Sequence, residues 1–509
     1  MNRDGARPSL WQANRPDYQP SNDWNKETVY DVLIVGGGIT GLTTALLLQQ
    51  EGKKCLVAEA HTLGFGTSGG TTSHLNTLVD ATYPTIENNF GKQAAQQVAR
   101  ATAGAIALVE SLTKKYQIDA GFSYQSAWLY AQEEQEVSEL DEVYEASRRA
   151  GLIVEAANSI PVPIPFKKAY QFGGQGQIHA SNYLRGLAEA FEKAGGVIVQ
   201  HCLVQNLKHD DPIRATTTTG DIRARQVVYA THQPPGISIF NFRLAPYRSY
   251  ATAFTLKDGN YPSGLAYDMK EIYNYFRTQE SDGQRYVIAG GFDHKTGHED
   301  NTAHIFSELE AYQRTYFKVD TFAYKWSSQY YESVDGLPYI GSFPGQEGVY
   351  VGTGFGGNGV TYGTVTALVL CDMLMGRSSP YEEVFSPARI KPVASFANFV
   401  KENADVVSMF IGKRFSYEKI TELAELAPGE AKTVKWEGTS LALYKDENSR
   451  VYALDPVCPH AKCIVNWNSG EKSWDCPCHG ARYAVDGSLL TGPAQTGLTR
   501  LEWGELPVS

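Results

Sequence analysis

Four of the chain's seven cysteines and two of its eleven histidines fall in one stretch, CPHAKCIVNWNSGEKSWDCPCHG, residues 458–480. Thiolate and imidazole together select zinc or iron–sulfur centres, whereas a structural staple needs no histidine. Cys458 and His460 form a C-x-H pair and Cys476 and His479 a C-x-x-H pair, so two loops each offer one sulfur and one nitrogen. A [2Fe–2S] cluster in which two histidines replace two thiolates on one iron needs this two-plus-two set. Zinc accepts the same four donors, but it leaves Cys463 and Cys478, one in each loop, without a reason.

A second chemistry is written near the other end. Residues 30–60, YDVLIVGGGITGLTTALLLQQEGKKCLVAEA, give an apolar strand, a glycine turn, a helix and a second strand closing on an acid. Gly36, Gly38 and Gly41 hold the G-x-G-x-x-G positions: tight turn, backbone approach to a pyrophosphate, and close helix–strand packing. The helix start faces the phosphates with its free N–H groups, and Glu59, followed by Ala60, is placed to accept hydrogen bonds from a ribose. The fingerprint does not separate FAD from NAD. The next run, GFGTSGGTTSHLNT, residues 64–77, with Thr67, Ser68, Thr71 and Thr72, suits a second phosphate or a flavin and has no use in a simple NAD domain.

These motifs resemble two known families. CPHAKC followed by CPCHG is similar to the two boxes of Rieske proteins of the cytochrome bc type, over about residues 433–501 and including a Gly492-Pro493-Ala494 turn. The resemblance implies Cys458, His460, Cys476 and His479 as cluster ligands and a disulfide between Cys463 and Cys478. Ala481 departs from it, because high-potential members have serine directly after CPCHG, while Tyr483 is kept. A missing hydroxyl donor lowers the potential, since hydrogen bonds to the sulfurs favour the reduced, more negative cluster. The 64–77 run, with DGLPYIG (335–341) and VGTGFGGNGVTYG (351–363), resembles the glycine oxidase and D-amino-acid oxidase superfamily of flavoproteins. That likeness implies FAD, with Val204 at the adenine, Ala230 and Thr231 near the pyrophosphate, and Asp335, Gly354, Gly356, Gly357 and Asn358 toward the flavin. Gly352, Gly354 and Gly357 also spell G-x-G-x-x-G, but no strand ending in an acid follows, so no nicotinamide site is expected. GG-x-DHKTG (290–297), RSY (248–250), ATH (230–232) and W-S-x-Q (326–329) are similar to the YhfW-like bacterial group that fuses the two modules, across nearly the whole chain.

The elements must hold these motifs together. At 509 residues and 42% hydrophobic content the chain can bury a large core divided among domains. The expected fold is a Rossmann-type α/β FAD-binding domain with an α+β substrate domain, D-amino-acid oxidase-like, plus a C-terminal all-β Rieske domain. The expected boundaries are an arm at 1–28, the oxidoreductase at 29–385, a linker and helix at 386–414 (helix 393–413), and the Rieske region at 415–509. Nucleotide-binding parts are expected at about 29–90, 175–235 and 330–380, and substrate-binding parts at about 91–174 and 236–329. Helices are read at 92–116, 133–150 and 183–194, and strands at 196–205, 227–230 and 285–298. The longest apolar run, 360–375, is interrupted, so no membrane span is expected. Net charge −11 argues against nucleic acid and anionic membrane partners. The polar N-terminus implies a cytoplasmic address, and Cys55, Cys202 and Cys371 are read as buried free thiols.

Among candidate acting side chains, His74, His232 and His294 sit in motif-like settings, and Arg277 is a candidate clamp for a substrate carboxylate. Tyr250 and Trp326 are candidates for an aromatic wall beside a cationic amine. The expected activity is FAD-dependent oxidation of an amine or amino acid by hydride transfer, electrons leaving singly through the cluster to an external acceptor protein. Inward electron flow, making a reductase or monooxygenase-like enzyme, and a non-catalytic redox module remain open alternatives.

Overall fold

The computed structural model describes residues 3–389, 418–419, 426–436 and 439–501; the expected helix 393–413 and most of the linker lie outside them. The nucleotide sheet has the strand order Tyr339–Ser342, Val349–Thr353, Ile222–Tyr229, Val29–Val35, Cys55–Ala58, Val197–Val199. Along this path every pairing is parallel except that between Tyr339–Ser342 and Val349–Thr353, and Ile213–Thr217 and Val204–Lys208 add antiparallel pairings off Ile222–Tyr229. Parallel strands covered on both faces read as unbroken apolar runs, which is why LIV and CLVA are so uniformly hydrophobic. The helix Ile39–Gln50 is buried through Leu48, sharing one apolar cluster with the helices Ala180–Lys193 and Gly359–Leu374.

A second, nine-stranded sheet is mostly antiparallel and runs from Val319–Ser333 through Leu244–Leu256, Gln284–Lys295, Asn274–Ser281, Leu265–Asp268 and Ser123–Ala131 to Lys168–Gln177 and His74–Leu75. The helices Lys92–Lys115 and Val137–Ala150 lie where the sequence places them, each presenting an apolar stripe inward. The C-terminal region is all β: one sheet of Glu418–Lys419, Ala431–Trp436, Thr439–Lys445 and Val451–Leu454, and a second of Asn466–Asn468, Ser473–Asp475, Arg482–Ala484 and Leu489–Thr491. The expected strand 196–205 is instead two strands, Val197–Val199 and Val204–Lys208. Between them His201 takes φ +55, and the N–H groups of His201 and Cys202 turn to the carbonyls of His61 and Glu59.

The polar N-terminal arm is packed into the body. Leu10 and Trp11 are buried, and Arg3 and Asp4 enter the seam between the second sheet and the C-terminal domain. There Arg482, fully buried, donates to Asp4 Oδ2 (2.9 Å) and Asp475 Oδ1 (3.0 Å). Glu471 Oε1 accepts from the Ser327 N–H (2.7 Å) and hydroxyl (2.8 Å), with Arg3 at 3.7 Å and Arg248 at 4.0 Å. Burial alone would raise the Asp4 and Asp475 carboxyls, but the charge of Arg482, with that of Arg248 and Arg3, holds them below the usual range.

Replacing Arg482 with methionine strands two buried carboxylates and is expected to cost about 3–5 kcal/mol, measured by urea unfolding. Because the folded-state carboxyl pKa values are depressed, this contribution is present above their unfolded value and is lost as pH falls through the folded one. The stability gap between wild type and Arg482→Met therefore narrows in acid.

Candidate functional site

A cavity of about 740 Å³ extends from the turn after Val29–Val35, past the 64–72 loop, to the second sheet and the C-terminal domain. Gly36 has φ +110, and a Cβ there would lie 2.5 Å from the Ala230 carbonyl oxygen; a Cβ on Gly41 would lie 1.9 Å from the Gly36 oxygen. Only hydrogen at these two positions permits the turn and the helix behind it. Gly38 lines the cavity, and Ser68 Oγ accepts the Ile39 N–H at 3.0 Å, marking the helix start as a cradle for an anion. Glu59 is held at the strand end by the N–H groups of Gly37 (2.7 Å) and His61 (2.9 Å), on the wall with Ala60 and Val204. Thr67, Thr71, Thr72, Ala230, Thr231, Gly356, Gly357 and Asn358 complete this lining. A glycine cradle at a helix N-terminus, an acid at the next strand end and a long cavity fit FAD.

Two expected cofactor contacts lie elsewhere. Both carboxylate oxygens of Asp335 are taken by Arg389, at 2.7 and 2.8 Å, so this acid fastens residues 335–341 to the segment at 386–389 and does not face the cavity. Gly354, φ +76, packs behind the wall, where a Cβ would meet Leu244 at 2.9 Å.

Arg277 also departs from expectation. It is fully buried under the 72–73 loop, donating to the carbonyls of Thr72 (2.9 Å), Ser73 (2.7 Å) and Ile178 and to the Gln279 side chain. It does not line the cavity, and its Nε is buried without a hydrogen-bond partner, so it is not placed to clamp a substrate there. Tyr250 points away because strand residues alternate: Tyr247, Ser249 and Ala251 line the cavity, while Tyr250 bonds His294 Nε2 (2.9 Å) and packs on Phe306. His294 is spent in that contact and is not on the wall. Trp326 is on the wall but enclosed, its indole donating to the Gly70 carbonyl at 2.7 Å.

The two remaining histidines face the cavity. His74 Nδ1 meets the Tyr267 hydroxyl (3.0 Å) and its Nε2 has no partner; burial and then the Arg277 charge keep it neutral, far below the usual imidazole range. His232, with φ +70, meets Thr67 Oγ1 (3.3 Å) and packs edge-on against Tyr331, and burial lowers it to about 4. Sequence reasoning missed two carboxyls on the same wall. Asp80 accepts the Gly357 N–H, and burial raises it to about 6. Asp293 accepts from the Tyr330 hydroxyl (2.8 Å), and burial raises it to about 7. Asp293 stood inside the quoted DHKTG motif, whereas Asp80 had no local signal.

In the C-terminal domain the two loops converge. Cys463 and Cys478 form the disulfide, and Cys458 and Cys476 stay free and buried. The sulfurs of Cys463, Cys476 and Cys478 lie within 4.8 Å of one another, but only Cys476 of the three keeps a thiolate to give. The Cys458–Cys476 contact pulls Cys458 down to about 6 and pushes Cys476 up, as expected for two thiols sharing a proton. The imidazoles of His460 and His479 stand edge to face, 5.0 Å apart, and the Nδ1 of each is buried without a partner. Two free thiols and two orphaned ring nitrogens are the donor set a histidine-ligated [2Fe–2S] cluster requires.

This centre faces the cavity side of the molecule. His460 Nε2 meets the Gly236 carbonyl (3.1 Å), the Gly236 N–H donates to Pro493 (2.9 Å), and Tyr331 Oη donates to the His479 carbonyl (3.2 Å). Leu489, Leu490, Thr491, Gly492 and Ala494 form part of the cavity wall itself.

Residues 31–373 match the family model described as FAD dependent oxidoreductase, and residues 416–502 match the Rieske [2Fe-2S] domain. The chain is similar to the Rieske 2Fe-2S iron-sulfur protein YhfW of Bacillus subtilis (strain 168), 29% identical over 481 residues that cover 94% of both chains. It is 24% identical to gamma-glutamylputrescine oxidoreductase of Escherichia coli (strain K12), over 74% of this chain and 90% of that one. Glycine oxidase from Geobacillus kaustophilus shares the flavoprotein fold at TM-score 0.59 and 21% identity, covering 71% of this chain and 99% of its own.

The Tyr483 hydroxyl lies 3.0 Å from Cys458 Sγ, and Ala481 is fully buried beside Cys476. Tyr483→Phe is expected to lower the cluster potential by roughly 40 mV, the one-electron equivalent of about 1 kcal/mol, and Ala481→Ser to raise it by a similar amount; protein-film voltammetry measures both.

Proposed function

The chain belongs to the FAD dependent oxidoreductase family and carries a Rieske [2Fe-2S] domain, and from that premise we propose a dehydrogenase of amines or amino acids whose electrons leave singly through the Rieske centre. FAD, when bound, takes a hydride from substrate carbon, and the [2Fe–2S] cluster passes electrons one at a time. The substrate loses that hydride from carbon and a proton from nitrogen, so C–N becomes C=N. Water then adds to give a carbonyl compound and a free amine, and an external one-electron carrier, reduced twice, balances the reaction.

The protein's own contribution is placement and exclusion. Gly36, Gly38 and the start of Ile39–Gln50 would hold the pyrophosphate, Glu59 the ribose, Val204 the adenine end, and Gly356, Gly357 and Asn358 the far end. Cys458, His460, Cys476 and His479 would hold the iron pair. His74, kept neutral and fixed through Nδ1 by Tyr267, offers Nε2 for a hydrogen bond at the reacting face. Supporting this reading is the wall shared by nucleotide-turn residues and Leu489–Thr491, with His460 bonded to the Gly236 carbonyl two residues beyond Pro234. The amine and amino-acid substrates named for the similar proteins support the substrate class.

Anaerobic rapid mixing with a panel of amines and amino acids tests the proposal. The expected result is bleaching of the flavin band followed by reduction of the cluster, with oxidised carrier restoring both. A flavin that dithionite reduces but no member of the panel does would refute it.

A further inference from the structure

The substrate end of the cavity is acidic and aromatic: Asp80, Asp268, Asp293, Glu271 and Glu332 line it against the single lysine Lys270. Tyr247 and Tyr330 are cross-strand partners with stacked rings 5.8 Å apart, and Tyr330 holds Asp293. Beyond the intervening strand Gln284–Lys295, Tyr273 and Tyr275 lie 5.8 Å apart at the start of Asn274–Ser281, and Tyr275 is edge-on to His74 at 5.4 Å. Asp293 Oδ1 and His74 Nε2 have no hydrogen-bond partner, so the wall carries unspent polar capacity. Asp80 adds a second carboxyl beside Gly357.

Among the described residues lining the cavity, the only lysine or arginine is Lys270, half-buried and followed by the exposed Glu271. Arg277, the obvious anchor for an α-carboxylate, does not line the cavity, and its two terminal nitrogens are committed to carbonyls and Gln279. A carboxylate placed beside Asp293 and Asp80 would meet like charge in a low-dielectric site, whereas an ammonium would gain both charge pairing and ring faces.

Resting on the proposed oxidation at this site, we infer that the cavity selects a cationic amine without an α-carboxylate, with Asp293 as the residue that sets the preference and Tyr247, Tyr273, Tyr275 and Tyr330 as its aromatic surround. The hydride and proton then leave the carbon and nitrogen of that amine as in the reaction already balanced.

Two readouts test this on the holoenzyme. Calorimetric titration uses two probes that flavin does not oxidise, tetramethylammonium and acetate. Wild type is expected to bind the cation and not the acid, and Asp293→Asn to weaken cation binding by about tenfold or more while the flavin and cluster spectra stay unchanged. Tyr330→Phe, which keeps the ring and removes the donor to Asp293, is expected to weaken it by only a few-fold and serves if Asp293→Asn does not fold. In anaerobic bleaching, 1,4-diaminobutane is expected to outrun its carboxylated analogue ornithine. Binding of acetate in preference to the cation, faster bleaching by ornithine, or an unchanged preference in Asp293→Asn overturns the inference and leaves the oxidation intact. Cation binding without bleaching by any amine instead overturns the oxidation and keeps the site.

Discussion

Arg482 is buried without exposure between Asp4 and Asp475, at the seam where the C-terminal β domain meets the second sheet. A guanidinium in such a place is tolerable only with both carboxylates present. One carboxylate comes from the first residues of the chain and the other from the Rieske region. The ion set therefore ties the start of the chain to the paired strands Ser473–Asp475 and Arg482–Ala484 with one charge balance, and it bears on the position of the cluster loops relative to the cavity. Glu471, bonded to Ser327 and approached by Arg3 and Arg248, extends the same lock along the strand Val319–Ser333.

That strand carries the consequences inward. Trp326 and Ser328 through Tyr331 line the cavity, and Gln329 and Tyr331 also donate to the carbonyls of Gly480 (2.9 Å) and His479 (3.2 Å). One strand thus touches the cavity and the backbone of His479, one of the four donors proposed to hold the cluster. The segment 231–236 does the same from the other direction, lining the cavity at Thr231, His232, Gln233 and Pro235 and ending on the Gly236 carbonyl that meets His460. Both segments run from the cavity wall to hydrogen bonds on His460 or His479.

The nucleotide turn, the parallel strands and the cluster ligand spacing were legible because each is enforced locally: a positive φ at Gly36, buried faces on both sides of a strand, two donors per loop. The disulfide and the α+β substrate domain followed from resemblance. The side-chain roles at Arg277, Tyr250 and Asp335 were not legible, because which face a strand residue shows, and which carbonyls claim a guanidinium, depend on partners distant in sequence. Arg277 is claimed by residues 72, 73 and 178, and Asp335 by Arg389. The packing of the N-terminal arm was not legible for the same reason, since Arg3 and Asp4 meet Phe65, Ser327, Glu471 and Arg482. Among the described residues no helix is long and apolar enough to cross a membrane.

The central claim is that flavin and cluster exchange electrons within one folded unit. Flash reduction of the flavin in purified protein, with the cluster followed optically across a range of protein concentrations, measures this most directly. The account predicts one iron–sulfur pair per flavin and a transfer rate independent of concentration. A rate that scales with concentration, or zinc in place of iron, would contradict it.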